Sequence, residues 1–438
     1  MPVISVIVTC FNVAEYIEQC LESVVSQTLR DLEIIVVDDG STDGTSDIIR
    51  RYASVDSRIN GVFLPENTIG GVASAANAGL DVASGDFVGF VDGDDFVDRR
   101  MFEKLVDAAL EHRTDLAMCK YLEYLEPTGK TREPAEQGKW VDVRNAGVIE
   151  LGDTDSVVRV LGFIAVPWRK IYRRKFLEDN SIRFPVVDRF WEDNPFHWFS
   201  VISAESVAIV HEPLYFHRVG REGQTMSLEG SQYVKIFRHH ETIRDWLTSR
   251  GAFERFHPAL FNWAIVQYEW VLNRLGRDDG PQLYRAFRPI AQLADEKILD
   301  VALRMRAGNT GRMIRSIHKG NEAEFLELYQ ARFEAETAAA KGLWSRLERG
   351  LSMVRLAREN TKIYGLRNTL AKTVSRFRPN EGRGRRRKIR QGGTPVTEAQ
   401  MLKLLAILEA DAGRRHDEIK LELEELREEL RRLRSDAE

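Results

Sequence analysis

Residues 85–96 read Gly-Asp-Phe-Val-Gly-Phe-Val-Asp-Gly-Asp-Asp-Phe, and no other stretch constrains the fold as strongly. Phe87, Val88, Phe90 and Val91 make a β-branched and aromatic run of the kind that is buried on both faces of a parallel sheet. It ends in three carboxylates, Asp92, Asp94 and Asp95, within four positions. Anions so close together call for a positive charge, and a hard divalent cation with oxygen ligands supplies one. The competing reading is a polar turn in which Asp95 caps a helix starting near Phe96.

The chain before this stretch alternates strand and helix. Val3 to Thr9 is a β-branched run that breaks at Cys10-Phe11-Asn12. Glu15 to Gln27 carries Ile17, Cys20, Leu21, Val24 and Val25 at helical spacing, and Leu32 to Val37 is the next buried strand. A helix from about Ser46 to Tyr52, a short strand closing at Phe63 and a helix from Gly70 to Ala83 follow. This alternation predicts a doubly wound, largely parallel sheet whose ligand crevice lies beyond the carboxyl ends of its strands. Thr9 to Asn12, Asp38 to Ser41 and Asp92 to Asp95 are all strand ends and are expected on one rim. Further on, the pattern predicts a helix over Phe102 to His112, a strand over Asp115 to Tyr121, a loop or hairpin insert over Pro127 to Lys139, and two short strands, Val207 to His211 and Leu214 to His217.

Composition excludes several classes. The three cysteines, Cys10, Cys20 and Cys119, form no CxxC pair, which argues against a disulfide scaffold or structural zinc. A formal charge of −4 gives no global reason to expect nucleic acid. The N-terminus enters a strand without a basic region or cleavage site, and no apolar stretch is long enough to span a bilayer. The expected location is the cytoplasm or, peripherally, the inner face of the cell membrane. At 438 residues the chain is expected to form several units: 1–228 catalytic, 229–340 helical, 341–395 basic segment and linker, and 396–438 coiled coil.

Ser5 to Asn12, Val37 to Asp43, Asn77-Ala78-Gly79-Leu80, Asp92 to Asp95 and Glu192-Asp193, in this order and spacing, resemble the family 2 glycosyltransferases. The match covers roughly residues 3 to 228. The resemblance implies a GT-A fold, Rossmann-like α/β, and inverting transfer of a sugar from a nucleotide donor. Thr9, Phe11, Asn12 and Asn77 would then lie along the nucleotide, with Phe11 stacked on the base. Asp39 would accept from the base imide, which favours a UDP-sugar. Asp92 would take the ribose side and Asp94 the cation, magnesium or manganese, while Asp95 would cap the next helix. Asp193 is the expected general base and Glu192 its runner-up. Arg218, Arg221 and Ser227 could close over the diphosphate or acceptor, and Trp168 could stack on a sugar. Ala76 stands where many relatives carry Arg, and Arg218, Lys170 or Arg169 could replace that cation. The acceptor implied is a polysaccharide, a teichoic acid-like polymer or a lipid-linked precursor. The competing class is a non-catalytic membrane-associated assembly protein with a decayed transferase domain.

From about Gly230 the pattern is helical, and its many aromatics read as core. Between Lys341 and Arg390 only Glu348, Glu359 and Glu381 oppose a series of Lys and Arg, so a helix on an anionic membrane surface is one expectation and a solvated linker the other. Beyond Thr394-Pro395, Ile419, Leu423, Leu426, Leu430 and Leu433 follow coiled-coil spacing, which predicts a homo-oligomer.

Overall fold

A computed structural model of the chain describes residues 2–126, 128–186, 190–220, 230–304, 306 and 308–334. The basic segment, the coiled-coil heptads, Arg221 and Ser227 lie outside the described residues.

The chain opens with β1 (Ile4–Cys10), α1 (Ile17–Val25), β2 (Leu32–Asp38), α2 (Thr45–Val55), β3 (Ile59–Phe63), α3 (Val72–Val82) and β4 (Phe87–Asp92). All seven residues of β1 are buried, as expected for a strand covered on both faces. Strand β5 (Phe96–Val97) and α4 (Met101–Glu111) come next, so the helix expected near Phe96 begins five residues later, after a short strand. Then follow β6 (Leu116–Leu125), β7 (Lys130–Arg132), α5 (Gln137–Asp142), β8 (Val148–Glu150), α6 (Thr154–Leu161), β9 (Lys170–Arg173), α7 (Arg174–Asp179), α8 (Asp193–Ser203) and β10 (Ser206–Val219). Strand β10 is one bulged strand where two short ones were expected.

The sheet order is β3-β2-β1-β4-β9-β6-β10-β5, with β7 beside β6 and β8 beside β10. Strands β3, β2, β1 and β4 are parallel, but β9 runs antiparallel to both β4 and β6. The expectation of a doubly wound sheet therefore holds for the first half only. Of the stretch expected as an insert, residues 128–139 hold the turn into β7, β7 itself and the start of α5. Its Glu136 is pinned by Arg169 in a fully buried pair, with Trp140 Nε1 and the Ile164 N–H also donating to Glu136 at 3.0 and 2.7 Å.

The chain is all-helical from α9 (Arg238–Ser249) through α10 (Phe253–Leu272), α11 (Gly280–Leu293), α12 (Glu296–Leu303) and α13 (Asn309–His318), with a last helical stretch over 322–334. Ile243, Leu247, Phe256 and Leu260 belong to the core that holds the sheet, whereas Phe261, Ile265, Tyr268 and Leu272 belong to a second core. Helix α10 thus joins the two cores. Among the described residues no helix is long and apolar enough to cross a membrane.

Candidate active site

Strand register builds the rim. Thr9 lies opposite Asp92 and Cys10 opposite Asp38, so three strands end at one level. Thr9 Oγ1 donates to Asp92 Oδ1 at 3.3 Å, and the Gly93 N–H donates to the Thr9 carbonyl at 2.9 Å. A Cβ on Gly93 would fall 2.8 Å from Cys10 Sγ and 3.0 Å from the Thr9 oxygen, so the turn between the carboxylates requires glycine.

Phe11 projects from this rim with 42% of its surface exposed. Asn12 adopts φ +51°, a region in which Asn is favoured among non-glycine residues. Its side-chain oxygen accepts from the Thr42 N–H and its own N–H donates to Ser41 Oγ, both at 2.8 Å. Asn12 therefore ties the first two rim loops together. Asp39 is buried beneath residues 67–68 and accepts from the Thr68 N–H at 3.1 Å.

Asp95 does not cap a helix. Its buried carboxylate accepts from Tyr215 Oη at 2.8 Å, His217 Nδ1 at 3.1 Å and the Arg218 N–H at 2.7 Å, all from β10. Burial alone would push the His217 imidazole down, but the Asp95 charge and hydrogen bond raise it to about 9. Burial raises the Asp95 carboxyl in turn, and His217 and the Arg218 N–H oppose that rise. Tyr215 also accepts from the Asp92 N–H at 3.1 Å.

With Asp95 turned inward, Asp92 and Asp94 are the carboxylates left partly exposed at the turn. Burial and the neighbouring Asp95 and Asp94 charges raise the Asp92 carboxyl well above the usual range, a crowding that a cation would relieve. Among the described residues no cluster of three or more His, Cys, Asp or Glu could cage a metal. Two carboxylates at a strand end fit a magnesium- or manganese-type ion that takes its remaining oxygens from water and phosphate.

Glu192 and Asp193 stand at the start of α8. One turn further on, Phe196 stacks on Phe184 at 3.9 Å and meets Phe90 of β4 edge-on at 5.9 Å, which packs the start of α8 against β4. Burial raises the Glu192 carboxyl well above its usual range, and the Asp193 and Asp92 charges add to this. Glu192 Oε2 has no hydrogen-bond partner. Burial also raises Asp193, against the opposing influence of Lys170 and of the Asn194 side chain, which donates to Asp193 Oδ1 at 2.8 Å.

Several expected site residues have other work. Asn77 donates to the Phe184 carbonyl at 2.8 Å and accepts from the Phe184 N–H at 3.1 Å, so it fixes the loop ahead of α8. Trp168 is buried and stacked between Tyr215 and His217, out of reach of a sugar. Arg218 is 2% exposed; it pairs with Glu126 and donates to Gln19 Oε1 at 2.5 Å and to the Asp94 carbonyl at 2.7 Å. Its guanidinium holds the acidic turn through the Asp94 carbonyl and is engaged by Glu126 and Gln19. Arg169 is committed to Glu136, and Lys170 is buried on the Val166 carbonyl at 2.7 Å. These three cations are therefore not placed to replace an Arg at position 76.

The glycosyl transferase family 2 model matches residues 5–180. The glycosyltransferase GlyG of Streptococcus pneumoniae is 30% identical over 234 residues, 52% of this chain and 73% of its own. The chain belongs to glycosyl transferase family 2. Two further likenesses bear on this glycosyltransferase. The uncharacterized glycosyltransferase EpsJ of Bacillus subtilis is 34% identical over 218 residues, 50% of this chain, which spans 61% of EpsJ. The crystal structure of S. aureus TarS 1–349 in complex with UDP-GlcNAc superposes with a TM-score of 0.61 at 20% identity, covering 76% of this chain and 92% of that one. The superposition places this glycosyltransferase in the same GT-A-like fold. The hydrogen bonds of Tyr215 and His217 to Asp95 escaped sequence reasoning, although their spacing of two on a strand puts both side chains on one face.

Proposed function

We propose that this chain is an inverting transferase that moves a hexose or N-acetylhexosamine from a UDP-sugar to a hydroxyl of a cell-surface polymer, teichoic acid-like, or of its lipid-linked precursor. One observation carries the reading: Asp92 and Asp94 stand partly exposed where β1, β2 and β4 end together, and Glu192–Asp193 open α8, whose Phe196 packs on Phe90 of β4. Two carboxylate sets near the end of one strand suit a donor diphosphate at one and an acceptor hydroxyl at the other. The UDP-GlcNAc held by TarS supports the choice of donor class, as does the name of that relative, a poly(ribitol-phosphate) beta-N-acetylglucosaminyltransferase 31% identical to this chain over 249 residues.

In this reading Phe11 stacks on the base, Asp39 accepts from its imide, and Asp92 takes the ribose side. Asp94, with Asp92, would hold a divalent cation, which when bound neutralises the leaving diphosphate. Asp193 accepts the proton of the acceptor hydroxyl as that oxygen bonds to the anomeric carbon and the bond to the diphosphate breaks. Burial makes Asp193 more basic than an exposed carboxylate, with Lys170 and Asn194 opposing that rise. On sequence alone, residues 341–390 are proposed to hold the enzyme at an anionic membrane and the heptads after 396 to self-associate; liposome flotation and light scattering test these points. The functional reading is tested by calorimetry with UDP, with and without manganese, and by UDP release from a panel of nucleotide sugars. Manganese-strengthened UDP binding and turnover of a UDP-sugar are expected. Absence of both rejects the proposal.

A further inference from the structure

The turn that carries the acidic pair is gripped from outside the α/β sheet. Trp263 and Trp270 lie two turns apart on one face of α10. Trp270 meets Trp191 edge-on, with ring centroids 5.7 Å apart, and Tyr233 closes on the same ring at 6.4 Å. Trp191 has φ +65°, a conformation that a bulky residue keeps only where its surroundings impose it. Seven residues earlier on α10, Trp263 Nε1 donates to Asn194 Oδ1 at 3.1 Å.

An indole N–H can only donate, so this bond fixes which end of the Asn194 amide faces which way. The oxygen points to Trp263, and the NH2 group points to the Trp191 carbonyl at 3.2 Å and to Asp193 Oδ1 at 2.8 Å. The opposite orientation would set the amide oxygen against the carboxylate, two acceptors in contact. Without Trp263 the amide would be less firmly held in the donating orientation.

We propose that Trp263 is a positioning residue for sugar transfer: through the Asn194 amide it holds Oδ1 of Asp193 and leaves Oδ2 for the acceptor hydroxyl. The helical region would then be part of the catalytic apparatus. This inference rests on the reading of Asp193 as the base.

The experiment uses the full chain and measures UDP release from UDP-glucose or UDP-N-acetylglucosamine, whichever turns over faster, with UDP affinity and melting temperature in parallel. Trp263→Phe keeps the ring and deletes the donor. It should lower kcat about 5- to 10-fold with KM and UDP affinity unchanged, the pattern of a lost interaction specific to the transition state. Asn194→Ala should lower kcat by about tenfold, and the double variant should be no worse than Asn194→Ala, because both delete one chain of bonds. Wild-type kcat in Trp263→Phe, or losses that multiply in the double variant, overturns the relay. If Trp263→Phe fails to fold, Asn194→Ala decides: a fall in kcat with UDP binding kept supports the relay and an unchanged kcat rejects it. Turnover by Asp193→Asn at the wild-type rate would instead reject the base assignment, whereas an inactive Asp193→Asn beside a fully active Trp263→Phe rejects the relay alone.

Discussion

Tyr215 donates its hydroxyl to Asp95 at 2.8 Å and accepts from the Asp92 N–H at 3.1 Å, so one buried phenol ties both ends of the acidic turn to β10. Tyr215→Phe leaves each of those groups short of a partner. The expected cost is about 1–3 kcal/mol of stability, the usual penalty for stranding a buried polar group. UDP binding in the presence of manganese should weaken as well, because Asp92 loses its register. Urea denaturation and calorimetry check the two effects; unchanged values in both would remove Tyr215 from the turn's support.

Phe11 is an exposed aromatic of the rim, and Phe11→Ala should weaken UDP binding by about 1–3 kcal/mol, the range for loss of a base-stacking ring. Phe11→Tyr should bind UDP as well as the wild type. Equal affinity in the alanine variant would place the base elsewhere.

Much of the α/β half was legible in the sequence because buried parallel strands announce themselves as β-branched runs, and Ser5 to Cys10, Leu32 to Asp38 and Phe87 to Asp92 are such runs. The antiparallel β9 was not, because Lys170 and Arg173 give it a polar look; Lys170 is nonetheless buried on backbone carbonyls. Roles within the site were legible in part. Asp95 looked like a helix cap because its partners, Tyr215, His217 and Arg218, lie far away in sequence. Asn77 and Trp168 looked like ligand contacts for the same reason, since only the fold brings Phe184, Tyr215 and His217 to them.

The Asn77-Ala78-Gly79-Leu80 segment serves packing. A Cβ on Gly79 would lie 2.5 Å from Ile7 Cγ2, with β1 directly beneath α3. Gly79→Ala should therefore destabilise by about 1–3 kcal/mol through overpacking. A thermal melt reads this, and an unchanged melting temperature would mean that α3 has room to shift.

Glu136 and Arg169 form a buried pair that joins the hairpin insert to β9. Burial alone would raise the Glu136 carboxyl, but Arg169 and the Ile164 and Trp140 donors hold it below its usual value. A carboxyl lowered on folding adds stability that is present above its unfolded pKa of about 4.3 and lost as pH falls through the lower folded value. Glu136→Gln should cost about 3–5 kcal/mol at neutral pH, since it strands a buried guanidinium. The gap from wild type should narrow below about pH 4. Denaturation midpoints across pH 3 to 8, on the reference scale for carboxylates, test the sign; a constant gap would contradict it.

The central claim is that Asp193 takes the acceptor proton at a UDP-sugar site. The most direct measurement compares UDP release by the wild type and Asp193→Asn from the best UDP-sugar of a panel, with UDP affinity measured on both proteins. The account predicts a rate lower by about 10²- to 10⁴-fold, the usual contribution of a general base, with UDP affinity unchanged. Equal rates in the two proteins would contradict it.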